Sequence, residues 1–540
     1  MKRWPLLLLL IVHSIFSQAD KSVRISKLLA EFETSGSPGM SVSILRDSRT
    51  VYAKGFGLAD MTRKNDIDSK TVFNACSIAK QFTASCIWIL VSQNRLSTGD
   101  DIRKYLPEMP VSVSPITIDN LLDHSSGIRN YHALMDLQGF DYDSEYYNNQ
   151  TVLELAARQK PTADALRKKT SYSNTNYNLL TLIIERVSGE NLNVFAKRHL
   201  FDPLGMKSTA FQVSNQQQLP SRAQGYYRSG DGFLQVPESK QESYGAGNLW
   251  TSGEDLVKWM QVLNGTATKF EPLRSFLTTT RNNSKYARGV LVDTFKGHAT
   301  VGHSGSGWGW KSYLVTVPGE KLGIAILCNK DDQDPAVLAN SMLDILLDEA
   351  PGNEAIRQKP DIDEDHAASI TGRYLEIDSD MQIEIFSERD TLKSRGLGAK
   401  KGIALLRDKD GVYYRKNNPG VKYDFSGSEG VPMIISFSGN PFYFSKMTSD
   451  VVANGNVAAF EGEYFSEELQ TTYRFFTSDG TLCVSFKNNP KVVLNPVQND
   501  AFGNGRRTLY RFTRNAQNEV SGLMVSSEGS IHNVIFVKRS

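Results

Sequence analysis

Beyond residue 350 the chain repeats itself at a spacing of 90 residues, and this repeat limits its last third to small all-β units. Gly372-Arg-Tyr374 falls on Gly462-Glu-Tyr464, Ile385-Phe386 on Phe475-Phe476, and Thr391-Leu392 on Thr481-Leu482. Each copy ends in strand-like runs, Met433 to Lys446 and Val520 to Lys538, broken by glycine-containing turns and free of helical periodicity. A short antiparallel sheet hides its edges most easily by closing on itself. Two small antiparallel β-barrel domains are therefore expected, over 370–448 and 449–540, with one larger sandwich as the competing arrangement. Ala350-Pro351-Gly352 and the acidic cluster Asp361, Asp363, Glu364 and Asp365 mark 351–369 as a solvated linker.

Residues 20–350 read differently. Met40 to Leu45 and Val51 to Phe56 flank the polar turn Arg46-Asp-Ser-Arg49, and Trp310 to Val317 and Leu322 to Cys328 flank Pro318-Gly-Glu-Lys321. Both pairs predict hairpins. Between them, Ser77 to Val91, Thr175 to Val187 and Glu254 to Leu263 carry helical apolar spacing with plausible caps and stops. Chain ends that supply an antiparallel sheet, around a mainly helical middle, predict a two-lobed α/β body with a seam where a cleft can form.

Composition removes several function classes. There are 61 Lys and Arg against 59 Asp and Glu, so no global field attracts nucleic acid or an anionic membrane. The 40 % hydrophobic content supports several cores and excludes wholesale disorder. Four cysteines, at 76, 86, 328 and 483, are too few and scattered for a disulfide scaffold, and no Cys/His cluster has metal-ligand spacing. No metal and no cofactor are expected.

At the amino terminus, Lys2 and Arg3 precede an apolar run from Trp4 to Phe16, followed by Ser17, Gln18 and Ala19. This pattern predicts an export signal over 1–19, removed by cleavage between Ser17 and Asp20. This run of thirteen residues falls short of the roughly 20 that span a bilayer. No later stretch is long and apolar enough to do so, and the mature chain is expected to be periplasmic or secreted.

Ser77-Ile-Ala-Lys80 is the strongest chemical signal. Residues three apart on a helix share a face, so the lysine amine can reach the serine hydroxyl and act as its base if burial keeps it neutral. At the helix start Ser77 is also placed to offer its backbone N–H to a developing oxyanion. Alone, the pattern recurs by chance. It gains weight from Tyr172-Ser-Asn174 ahead of an apolar helix and His303-Ser-Gly305 ahead of strand Trp310 to Val317, in that order. Tyr146-Tyr-Asn148 and Tyr147-Asn-Asn149 also fit Tyr-x-Asn, but no apolar helix follows them. Gly302-His-Ser304-Gly-Ser306 approaches the G-x-S-x-G elbow of α/β-hydrolases, yet a strand follows where that motif needs a helix.

Ser-x-x-Lys, Tyr-x-Asn and a Lys/His-Ser/Thr-Gly triplet in this order resemble the serine β-lactamase and penicillin-binding superfamily, in the branch of class C β-lactamases, D-aminopeptidases and related esterases. Leu121-Leu-Asp-His-Ser-Ser-Gly127, Pro203-Leu-Gly-Met206 and Gly247-Asn-Leu-Trp-Thr-Ser252 with Asp255 look like loop and turn segments of the same superfamily. Asp123, His124 and Asp255 are read as turn and cap residues rather than a charge relay. The resemblance covers residues 22 to about 349. It implies a β-lactamase-like fold for this region, and D-aminopeptidases are similar in adding two small β-barrels.

Carried over residue by residue, the resemblance implies Ser77 as acylated nucleophile, Lys80 as its partner base and Tyr172 as the group that exchanges protons with nucleophile and leaving group, the formal base being open between Lys80 and Tyr172 because a coupled pair titrates as a unit. Asn174, His303, Ser304, Gly305 and Ser306 would bind substrate, with the backbone N–H groups of Ser77 and Ser306 as oxyanion donors. His303 stands where true β-lactamases hold a lysine. A histidine is not a permanent cation, which puts penicillin hydrolysis in doubt. The resemblance implies amide or ester substrates, because histidine at this triplet is seen among the peptidase and esterase members of the family. Trp308 and Trp310 are open between pocket lining and core. The competing readings are a non-catalytic ligand-binding or sensor protein using the same cleft, and an α/β-hydrolase built on Ser304. Substrates are expected to be small molecules or short peptides or esters, with no nucleic acid partner.

Overall fold

The computed structural model describes residues 21–348 apart from 34–35, 112–114, 161–169 and 283, and residues 368–539 apart from 378–379, 390, 397–398, 400, 409–410, 417, 429, 438–439, 448–456, 505–507 and 530. The expected export signal and nearly all of the expected linker lie outside the described residues. The chain divides into two units, 1–98 with 180–353 and 99–179 with 354–540, the boundary falling inside the helix Asn174–Ser188.

The first unit is built on a six-stranded antiparallel sheet in the order 291–295, 298–307, 310–317, 322–328, 40–46 and 49–56. Both expected hairpins are present, and the amino-terminal one docks on the later one, Met40 opposite Cys328 and Ile44 opposite Ile324. Asp47 and Ser48 form the first turn with φ of 48° and 63°, the left-handed pair that matches the twist of a two-residue hairpin. Strand alternation sorts the faces. Met40, Val42 and Ile44 join Leu338, Met342 and Leu343 of the helix Pro335–Leu346 in one apolar core. On the opposite face the helix Gly253–Leu263 runs so close that a Cβ at Gly253 would meet Ser43 Oγ at 2.5 Å, and one at Gly323 would meet Met260 Sδ at 2.7 Å. A small sheet, with Val72–Asn74 and Ala210–Phe211 on either side of Leu249–Ser252, leads into the Ser77 turn.

The second unit joins helices to the carboxy-terminal strands. Residues 372–446 form a closed eight-stranded barrel around Tyr374, Ile385, Leu392, Tyr423, Met433 and Phe444. Residues 462–538 form a nine-stranded sheet that is nearly closed, its two end strands being Asn489–Val493 and Asn495–Gln498. The repeat keeps its register: Gly372 pairs with Ile385, and Gly462 with Phe475. Each glycine has positive φ, and Tyr374 and Tyr464 each donate their hydroxyl to the carbonyl four residues back. The two barrels differ in their cores. The first has its own, whereas the second shares one with the helices Tyr131–Gln138 and Asn149–Ala157, where Leu134, Leu137, Tyr147 and Leu155 meet Tyr464, Tyr473, Phe475 and Phe536. Among the described residues no helix is long and apolar enough to cross a membrane, and no group of His, Cys, Asp or Glu is placed to hold a metal ion.

Candidate active site

In the first unit the nucleophile candidate sits at a strand-to-helix junction. Strand Val72–Asn74 ends where Ala75 N donates to Leu249 O at 2.8 Å. Cys76 then takes φ of 50°, a left-handed conformation that a residue with a Cβ rarely adopts, with its N–H held by Asn74 Oδ1 at 2.9 Å. That reversal places Ser77 in the first turn ahead of the helix Ala79–Ser92, half-buried, and points the next turn inward. The helix is buried on nearly all sides. Phe82 packs on Trp259 at 4.5 Å between centroids, and Trp259 Nε1 donates to Gln81 Oε1 at 2.5 Å.

Lys80 is fully buried, and its Nζ donates to Ser77 Oγ at 3.2 Å and to Ala246 O at 2.7 Å. The loop that offers Ala246 is itself tied to the helix, because Thr83 Oγ1 donates to Gly245 O at 2.8 Å. Burial drives the Lys80 ammonium well below the ordinary lysine value, so the amine has a lone pair available to take a proton from Ser77. Helical spacing anticipated the Ser77–Lys80 contact; the anchoring carbonyl of Ala246, 166 residues away, has no sequence signal.

His303, Ser304, Gly305 and Ser306 lie within one strand, His298–Gly307, which runs immediately ahead of the strand Trp310–Val317. This also disposes of Ser304 as an elbow nucleophile, since it sits mid-strand opposite Tyr313. The strand Leu291–Phe295 pairs only with His298 to Gly302, which leaves residues 303–307 with one sheet partner, Trp310–Val317. Their other edge runs against the Ser77 turn: a Cβ at Gly305 would lie 2.4 Å from Ala75 O and 2.2 Å from Ser312 Oγ, so only glycine permits the approach. Ser306 follows at once, exposed, its hydroxyl accepting from Lys311 Nζ at 2.8 Å.

The His303 ring is buried and doubly held. Nδ1–H donates to Ser304 O, which makes Nε2 the acceptor for the Tyr286 hydroxyl at 3.3 Å. Burial pushes its pKa down to about 4, and any charge on Lys80 acts in the same direction. His303 is therefore neutral at physiological pH. The unfolded chain binds the proton more readily below the ordinary value of 6.5, so stability present above that pH is lost as the pH falls towards 4. Chemical denaturation across this window is expected to show about 3 kcal/mol of acid loss that His303→Gln lacks.

Tyr172 and Asn174 stand in the second unit, at the start of the helix Asn174–Ser188. Tyr172 is partly exposed and its ring lies 4.4 Å from that of His124. His124, at φ of 60°, is the platform of this turn: its carbonyl accepts from Ser171 N at 2.9 Å and its Nδ1 from Ser173 N at 3.3 Å. Asn174 N donates to Asn130 Oδ1 at 3.3 Å, and its amide nitrogen lies 3.3 Å from His132 Nδ1. The sequence offers no spacing that announces His124 or His132 here. Asp123 and Asp255 do serve turns and caps, Asp123 accepting from Ser125 N and Asp255 from Ser208 N and Lys258 Nζ. The rival Asn148 is a helix cap that accepts from Thr151 N at 3.0 Å, and its neighbour Tyr147 is core. Trp310 is core as well, packed on Phe73 and Trp250, while Trp308 is half-exposed against Tyr227.

Residues 25–348, well over half of the chain, match the family described as Beta-lactamase. The chain belongs to the beta-lactamase family. It is a serine hydrolase of this family, with D-aminopeptidase and penicillin-binding relatives. It is 21 % identical over 481 residues to a D-aminopeptidase of Cereibacter sphaeroides, a match covering 86 % of this chain and 87 % of that protein. Among solved structures it resembles the octameric penicillin-binding protein homologue from Pyrococcus abyssi with a TM-score of 0.56 and 22 % identity, over 87 % of this chain and 98 % of that one. The D-amino acid amidase from Ochrobactrum anthropi SV3, complexed with D-phenylalanine, aligns with a TM-score of 0.50 and 19 % identity, over 61 % of this chain and all of its own. At 86 % of this chain the match to the D-aminopeptidase is longer than the family match over 25–348 and reaches into the residues after it.

Proposed function

We propose that this beta-lactamase-family chain cleaves amide or ester bonds of small D-amino-acid or cell-wall peptide substrates through an acyl-enzyme on Ser77, and that it does so outside the cytoplasm. The observation that carries the reading is a buried Lys80 amine, depressed in basicity, 3.2 Å from Ser77 Oγ. Neutral Lys80 takes the Ser77 proton as Oγ attacks the substrate carbonyl carbon. The oxygen that gains charge is held by the backbone N–H groups of Ser77 and Ser306. Collapse of this intermediate breaks the C–N or C–O bond, and the leaving group receives a proton from Lys80 or Tyr172. Water, deprotonated by the same pair, then attacks the acyl carbon and restores Ser77.

Two further features support the substrate class. His303 is neutral and has both ring nitrogens engaged, so it supplies no cation for the carboxylate of a penicillin. The D-aminopeptidase relative also matches across most of this chain. The charged and apolar pattern of residues 2–19 supports export.

The test is turnover and intact-protein mass with D-alanyl-p-nitroanilide, its L-enantiomer, p-nitrophenyl acetate and nitrocefin. The D-anilide is expected to exceed the L-anilide by at least about tenfold in kcat/KM, a difference of about 1.4 kcal/mol in transition-state binding. A trapped adduct is expected on the Ser77 peptide. Faster turnover of nitrocefin than of the D-anilide would overturn the substrate class.

A further inference from the structure

We propose that Glu468, in the turn between strands Gly462–Ser466 and Thr471–Ser478 of the second barrel, is a positioning residue that holds the Tyr172-Ser-Asn174 turn in place for catalysis, a role that rests on the function proposed above. Its side chain is almost completely buried, as is that of its ion-pair partner Arg129. Arg129 Nη1 donates to Glu468 Oε2 at 2.6 Å and to Gln159 Oε1 at 2.9 Å, while Nη2 donates to His532 O at 2.6 Å. Lys160 N donates to the same Glu468 oxygen at 3.0 Å. One barrel carboxylate therefore fixes two separate points of the helical segment.

Arg129 passes this restraint on through its backbone. Its carbonyl accepts from Thr175 Oγ1 at 2.8 Å, and that hydroxyl accepts from Tyr131 N at 2.9 Å. Asn130, between them, holds Asn174 N. Asn174 and Thr175 begin the helix that starts two residues after Tyr172. Two bonds thus separate the barrel carboxylate from the turn that carries the candidate proton carrier.

The surroundings make this grip stiff. Tyr473 Oη donates to Leu137 O at 2.6 Å, Gln138 Nε2 to Leu469 O at 2.7 Å, and Asn488 Nδ2 to Gly139 O at 3.0 Å. Gly139 ends its helix at φ of 72°, where a Cβ would press on Phe486 and Lys487 at 3.1 and 3.2 Å. These contacts hold the helix Tyr131–Gln138 and its end against the barrel. The Arg129–Glu468 pair differs in where it leads, from the barrel to the residue whose carbonyl holds Thr175 at the start of the helix that follows Tyr172. A proton carrier misplaced by a fraction of an ångström loses much of its rate advantage while substrate binding is spared. The second barrel thereby acts as a brace, a part the first barrel, with its separate core, does not share.

The test uses the full chain and a double-mutant cycle with the D-anilide as substrate. Glu468→Ala is expected to lower kcat about 30-fold with KM held within about threefold, and Glu467→Ala, at an exposed neighbour, to change neither. In a Tyr172→Phe background, Glu468→Ala is expected to cost less than about threefold, since a residue acting through Tyr172 has little left to lose. Glu468→Gln keeps an acceptor for Arg129, and its smaller loss should vanish in the same background; it decides the question if the alanine variant does not fold. Full kcat in folded Glu468→Ala, or losses that multiply with Tyr172→Phe, would overturn the proposal. Hydrogen exchange at the amides of residues 173–177 is expected to quicken in either Glu468 variant and not in Glu467→Ala. That readout needs no turnover, so it still decides the brace if activity survives Ser77→Ala and the hydrolase mechanism falls.

Discussion

Ser77→Ala is expected to lower kcat for D-alanyl-p-nitroanilide by about 10⁵-fold, because losing the nucleophile removes the whole covalent route and leaves only oxyanion donors and binding. The melting temperature should hold within about 2 °C, since a half-buried hydroxyl contributes one modest hydrogen bond. Labelling by a fluorophosphonate should disappear with the activity. Ser304→Ala serves as the control: Ser304 is exposed and mid-strand, so labelling should persist. Persistence of labelling in Ser77→Ala with loss in Ser304→Ala would transfer the chemistry to the other serine and end the mechanism proposed here.

Lys80→Met is expected to cost about 10³-fold in kcat, the usual scale for removing a positioned base. Methionine fills nearly the same buried volume, so the effect reports chemistry more than packing. The pH dependence separates the two. Burial holds Lys80 below the ordinary lysine value, so the wild-type fold has stability above pH 10.5 that it loses as the pH falls towards the depressed folded pKa. Stability measured by urea titration should therefore shift in favour of Lys80→Met as the pH falls through that window. Below the folded pKa the amine is charged, and wild-type kcat/KM should fall with it. An acid limb that is unchanged in the residual activity of Lys80→Met would assign that limb to another group.

Local features were the legible part of this protein. Hairpin ends at Trp310, Val317, Leu322 and Cys328 match the strands to the residue, because turn chemistry and apolar alternation are written over a few neighbouring positions. The 90-residue repeat likewise announced two related β-units, and each Gly-x-Tyr plays the same part in both. The Ser77–Lys80 contact followed from three-residue spacing on a helix. Closure differs between the copies, complete in the first and not quite in the second. The gap in the second lies between Asn489–Val493 and Asn495–Gln498, neighbours in the chain that do not pair, and strand-like spacing alone does not show whether two such runs will.

The residue types and their order along the chain determined which atoms were available: an alcohol, an amine, a phenol and a glycine-bearing strand. Only tertiary structure decided what those atoms are. Lys80 is held below the ordinary lysine value because helix, loop and sheet remove it from water while Ala246 O accepts a hydrogen bond from its Nζ, and His303 is neutral because the same burial disfavours its charge. Gly305 matters because Ala75, 230 positions earlier, occupies the space a side chain would need. Glu468 acquires its partner Arg129 across 339 residues. Ionisation, close approach and bracing depend on desolvation and on contacts between distant segments, and those exist only once the chain has packed.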